Sequence, residues 1–156
     1  AVVLLTVAAV LVVNTVARTQ SKDPWIGTWK INLEKSKYSP GPKPAVAATV
    51  KIEPSGDGIK TTIDGTDPQG QPTHTEMVGL FDGKDNPVKG AQIPNRTTAY
   101  RRIDDRTFET IDKLDGKPTY STKFVVSADG KTMTATQTGT NAQGQSINNV
   151  IVFDKQ

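Results

Sequence analysis

What most constrains this chain is a ladder of reverse-turn signals. It runs through Ser55-Gly56-Asp57-Gly58, Asp67-Pro68-Gln69-Gly70, Asp82-Gly83, Asp104-Asp105, Asp115-Gly116, Asp129-Gly130 and Asn141-Ala142-Gln143-Gly144. Asp-Gly supplies the positive φ of tight hairpin turns, so each signal is a physical reason for the chain to reverse. Most lie 11–14 residues apart, which leaves room for about nine residues of strand between turns.

The segments between turns alternate as half-buried strands do. Val50 and Ile52 interleave with Thr49, Lys51 and Glu53, and Met133 and Ala135 with Thr132, Thr134 and Thr136. Strands are expected near 25–32, 46–54, 59–65, 72–81, 86–89, 96–103, 106–113, 118–127, 131–138 and 146–154. Residues 32–45, with Pro40, Pro42 and Pro44, read as an extended connection. Helical periodicity is missing after residue 24. The expected fold is all-β, an antiparallel up-and-down meander of 8–10 strands closed into a barrel, since closure removes sticky sheet edges.

Composition fits one such domain. Of 156 residues 35% are apolar, but 14 of those 54 lie in residues 1–17 and only 40 in the other 139. A barrel tolerates so low a content because only its inward side chains need be apolar. With no cysteine, disulfide scaffolds, Cys-based zinc sites, thiol catalysis and lipidation at a Cys are excluded.

Residues 1–17, AVVLLTVAAVLVVNTVA, carry no charge. As a helix they reach roughly 25 Å, against ~30 Å for a bilayer core. They read as an N-terminal apolar helix, either a transmembrane anchor or the apolar core of a secretory signal cut after Ala17. Both put residues 25–156 outside the cytoplasm, with 18–24 as a polar linker, and a retained anchor is the expectation.

The opening Trp25-Ile26-Gly27-Thr28-Trp29-Lys30 resembles the Gly-x-Trp start of lipocalins and the Gly-Thr-Trp-Lys start of fatty-acid-binding proteins, both calycins. The ending Val150-Ile151-Val152-Phe153-Asp154-Lys155 resembles the closing strand of the latter. The likeness implies a lipocalin-like barrel over residues 25–156, with Gly27 giving close approach at the floor and Trp29 plugging it. It departs from the pattern in four ways. Ile151 and Phe153 stand where an Arg-x-Tyr pair would hold a ligand carboxylate. The Thr-Asp-Tyr loop motif is missing, as is a basic residue on the last strand to cover the Trp, and there is no space between the first two strands for a helical lid. The chain is most similar to lipocalin-like domains of bacterial envelope proteins, which implies an inner-membrane anchor with a periplasmic barrel, or a periplasmic protein if the segment is cut. Fold transfers across such a likeness, but function does not.

Catalysis is not expected. His74 is the sole histidine, and with Glu76 it reads as a solvent-facing polar pair; no serine sits in a nucleophile elbow, and Asp104, Asp105, Asp112 and Asp115 read as hairpin residues. No cofactor or metal is expected, and aromatic platforms interleaved with bases, as nucleic-acid binding needs, are lacking. Four of the five arginines, Arg96, Arg101, Arg102 and Arg106, fall within eleven residues. If Ala99 and Ile103 face the lumen, Arg101 does too and replaces the missing anion anchor.

Two functions follow. One is a non-catalytic, membrane-anchored accessory subunit whose barrel caps or bridges partners in a membrane complex, of respiratory or photosynthetic type, through Trp25, Tyr38, Pro40, Pro42, Arg96 and Arg102. The alternative is a carrier with a small hydrophobic ligand among Trp29, Arg101, Phe108, Phe124, Met133 and Phe153, the wall continuing through Ile31, Ile52, Ile63 and Met77. The accessory reading is preferred here because the carboxylate anchor is gone and the apolar segment needs a partner.

Overall fold

The computed structural model describes residues 23–41, 48–67, 69–90, 94–140 and 144–156. The expected helix and anchor at 1–17, the linker up to residue 22, and Pro42 lie outside the described residues. Among these residues there is no helix, and so none long and apolar enough to cross a membrane.

Ten strands follow the turn ladder: β1 (Gly27–Lys37), β2 (Thr49–Ser55), β3 (Gly58–Thr66), β4 (Pro72–Gly79), β5 (Asp82–Pro87), β6 (Arg96–Asp104), β7 (Thr107–Leu114), β8 (Lys117–Val126), β9 (Thr132–Thr140) and β10 (Ser146–Lys155). All pairings are antiparallel. Chain neighbours pair in order except at one place, and β1 pairs with β10, so the sheet runs β4-β3-β2-β1-β10-β9-β8-β7-β6-β5. Its two ends are joined where β4 bridges the segment just after β5. There Glu76 and Lys89 exchange two backbone hydrogen bonds of 2.9 Å, and the sheet becomes a nearly closed barrel.

Local chemistry explains these reversals. Asp115 and Gly116 both take positive φ, 50° and 75°, as a type I′ hairpin requires. Asp82-Gly83, expected as a turn, instead opens β5; Gly83 at φ 74° goes with a register irregularity between Asp82 and Asp85. The reversal falls just before it, where Phe81 takes φ 57°. That conformation is uncommon for a bulky residue. Packing of the Phe81 ring on Trp25, Tyr100 and Phe108, with centroids 5.9–6.1 Å apart, offsets its cost.

The first strand also continues past its expected end at residue 32, to Lys37. Its pairing with β10 shifts between Asn32 and Lys37, and Ser36 repairs the gap: its Oγ donates to the Asn32 carbonyl (2.7 Å) and accepts from the Val152 N–H (2.9 Å).

One end of the barrel is plugged. Trp25, expected as a partner contact, is wholly buried, because a turn closed by the Ile26 N–H on the Asp23 carbonyl (2.9 Å) folds it under the barrel. Trp29 is equally buried, and its indole N–H donates to the Trp25 carbonyl at 2.8 Å. Gly27, at φ 139°, lets the Lys155 stem pass; a Cβ there would stand 2.9 Å from Lys155 Cε. The expectation that the last strand carries no base over the Trp is corrected by that contact. Lys155 Nζ lies 4.9 Å from the Trp29 ring centroid and donates to the Pro24 carbonyl (3.2 Å).

Candidate functional site in the barrel lumen

Strand alternation and register define the inner wall row by row. Arg102, Phe108, Phe124, Ala135 and Ile151 form one cross-strand row on β6 to β10. The next, further from the plugged end, is Tyr100, Thr110, Thr122, Gln137 and Asn149, and beyond it Thr98 stands opposite Asp112. One step along the strands therefore changes the wall from aromatic and aliphatic to polar. Across the lumen, Val50, Ile52, Ile63 and Met77 on β2, β3 and β4 keep the opposite wall mostly apolar, with Thr61 the polar exception.

Between these walls lies a cavity of about 160 Å³. Of the residues expected to line it, Ile52, Ile63, Met77, Phe108, Phe124, Met133 and Phe153 do. Trp29 sits beneath it in the floor, and Ile31 packs against the core without lining it. Phe108 and Phe124 stack in the wall of the cavity nearest the plugged end, at 4.6 Å between centroids.

Arg101 is the clear miss. The lumen takes the face of Thr98 and Tyr100, not that of Ala99 and Ile103, so Arg101 projects from the outer wall and pairs there with Glu109 (2.8 Å). The internal cation is Arg96, expected as a partner contact. Its Nε and Nη2 donate to Asp112 Oδ1 at 3.2 and 2.9 Å, and Thr98 Oγ1 donates to the same oxygen at 2.8 Å. The Asp112 side chain is 8% exposed and that of Arg96 34%. Asp112, expected in a hairpin, is thus a buried strand residue. Beside the pair, burial pushes the Tyr100 phenol up to about 12, so it stays protonated and neutral. Gly79 makes room for its ring, which a Cβ at that position would overlap.

The other expected contacts disperse. Arg102 is held at the floor, its Nη2 donating to Asp23 (2.6 Å) and its guanidinium lying 4.7 Å from the Trp25 centroid and 5.3 Å from that of Phe81. Tyr38 is half-buried and Pro40 exposed. His74 and Glu76 lie on the outside of β4, with His74 Nδ1 2.6 Å from Asp64 and Glu76 paired with Lys60. Among the described residues no three His, Asp or Glu side chains gather as a metal set.

The strand order, the plugged end and the lumen define a calycin-like barrel. No protein-family model and no curated protein sequence matches the chain. Among solved structures it is similar to zebrafish ileal bile acid-binding protein complexed with cholic acid, at 14% identity and a TM-score of 0.51, covering 85% of this chain and 99% of that one. Two weaker likenesses, each covering 85% of this chain, are to a designed fluorescence-activating β-barrel (15% identity, TM-score 0.40, 94% of that chain) and to the siderocalin Ex-FABP (13%, 0.32, 71%). At such identities the likeness concerns the fold alone.

Proposed function

We propose that the chain is a non-catalytic binding protein that takes a small, largely apolar molecule into its lumen. The supporting observation is the cavity, apolar along β2 to β4 and the floor, with one polar corner at Arg96, Thr98, Tyr100 and Asp112. That pattern, apolar lining with a few placed polar groups, is how small-molecule sites are built. The volume narrows the occupant. Drug-sized pockets run to about 300–1,000 Å³, whereas an engineered apolar cavity of about 150 Å³ takes benzene. A single ring or a short chain is the size that fits.

The apolar segment 1–17 is the reason to place this binding protein in a cell envelope. An accessory-subunit role has that segment and the surface at Tyr38 and Pro40 to draw on, because Trp25 is buried in the floor and Arg96 and Arg102 are paired with aspartates.

The test is titration of the full chain with toluene, observed through the methyl resonances of Ile63, Met77 and Met133. Saturable shifts at those methyls are expected. Uniform or absent shifts, with toluene and with short-chain alkanes alike, would remove the binding role.

A further inference from the structure

We infer that the lumen selects an electrically neutral, hydroxyl-bearing ligand over the carboxylate of the same shape, an inference that rests on the binding role proposed above. Among the described residues lining the cavity, the charged ones are Arg96 and Asp112, and they are bonded to each other. The lumen is therefore neutral as a whole, and Tyr100 adds no charge.

A ligand carboxylate would have to draw the guanidinium off Asp112. It would then sit in a confined space beside a second carboxylate that had lost its partner. The Asp112 carboxylate is the buried member of the pair, and taking its partner away leaves that charge uncompensated, which is strongly unfavourable. A ligand cation meets the converse obstacle in Arg96.

A hydroxyl needs no such exchange. The three bonds made to the Asp112 side chain by Arg96 and Thr98 all converge on Oδ1. Among the described residues none donates to the second carboxylate oxygen, which can accept from a ligand O–H, while Tyr100, Thr110 and Thr122 line the adjoining row on β6, β7 and β8. The apolar remainder of the ligand then lies toward Ile52, Ile63 and Met77. On β10 the residues lining the cavity are Ile151 and Phe153, so that strand brings no charge to it.

The experiment compares benzyl alcohol, benzoate and toluene on the full chain by the same methyl shifts. Benzyl alcohol is expected to bind about tenfold more tightly than either, the worth of one hydrogen bond to a charged group. Benzoate binding as well as the alcohol overturns the inference but leaves the binding role standing. Toluene equalling the alcohol overturns hydroxyl recognition in the same way. Saturation by none of the three overturns the binding role, and the inference with it.

Asp112→Asn releases Arg96 from its counter-charge and should raise benzoate affinity about tenfold; a folded variant without that gain overturns the inference. If this variant does not fold, the Arg96→Met/Asp112→Leu pair keeps the question open to test. It should bind toluene and benzyl alcohol equally, and a retained alcohol preference would count against the inference.

Discussion

Arg96 and Arg102 stand six residues apart on the inner face of one strand, β6, and each has an aspartate partner. At the plugged end Arg102 bonds Asp23, from the segment entering the barrel, and stacks on Trp25 and Phe81. Toward the other end Arg96 bonds Asp112, from the next strand of the wall, inside the cavity. The same chemistry serves closure in one place and polarity of the lumen in the other. What differs is the neighbours: aromatic faces turn Arg102 into a packing element, while Thr98 and Tyr100 leave Arg96 in a hydrogen-bonding corner.

The largest blow to this division would fall between the two, at Phe108, which touches the floor through Trp25 and the cavity through Phe124. Phe108→Ala should cost about 3–5 kcal/mol and, by opening the cavity toward the floor, change toluene affinity as well, as measured by urea unfolding and methyl shifts. A variant that loses stability but binds toluene with unchanged affinity would show that floor and cavity are independent.

Within the floor, the tryptophans separate. Trp29 donates its indole N–H to the Trp25 carbonyl, whereas the buried Trp25 N–H has no partner among the described residues. Trp29→Phe therefore leaves a buried carbonyl short of a donor, for about 1–3 kcal/mol beyond lost volume. Trp25→Phe removes an unpaired donor and should cost less, so unfolding in urea should rank Trp29→Phe as the weaker protein. The reverse order would assign the plug to volume alone.

The sharpest separation of the arginines is a crossed pair of variants. Arg102→Met should lose about 1 kcal/mol, since its ion pair and its ring contacts are partly exposed, and should leave the preference for benzyl alcohol untouched. Arg96→Met/Asp112→Leu removes both charges together and should change stability little, while erasing that preference. Unfolding midpoints and methyl titrations on the two proteins decide it. An Arg102→Met variant that also lost the preference would tie the polar corner to the floor.

Much of this was legible in the sequence. Turn signals placed nearly every strand, because Asp-Gly positions such as Asp115-Gly116 have few conformations available, and alternation placed Met133, Phe124 and Phe153 inward. The polar corner was misread on one choice of parity, that apolar Ala99 and Ile103 mark the inner face. A two-residue turn at Asp105-Arg106 with unbroken register would pair Ile103 with Phe108, and an inward Phe108 would then bring Ile103, Arg101 and Ala99 inward with it. The pairing instead shifts between Arg102 and Asp104, which sets Arg102 opposite Phe108, Tyr100 opposite Thr110 and Thr98 opposite Asp112. The inward face of β6 is the more polar one, so neither hydropathy nor simple register pointed to it; the irregularity decides the parity. Burial of Trp25 had no local signal, since it depends on the chain folding under the barrel at Asp23.

The smallest effect lies on the outer wall, where charge pairing is screened by water. His74 is exposed, and its hydrogen bond to Asp64, with Glu76 a further 3.7 Å contact, raises its pKa above the ordinary value of about 6.5. The proton is held more tightly in the folded chain. The resulting stabilisation is complete below about pH 6.5 and is lost as pH rises through the raised folded value. Urea unfolding at a series of pH values should show this loss in the parent and not in His74→Gln, with both otherwise alike. Its scale should stay within that of exposed pairs, well under the effects at Phe108 or Trp29. Glu76 also forms the backbone bridge to Lys89 that joins β4 to the segment just after β5. A large pH dependence would therefore mean that this surface cluster governs closure of the barrel, and would move the comparison from the two ends of β6 to the seam opposite.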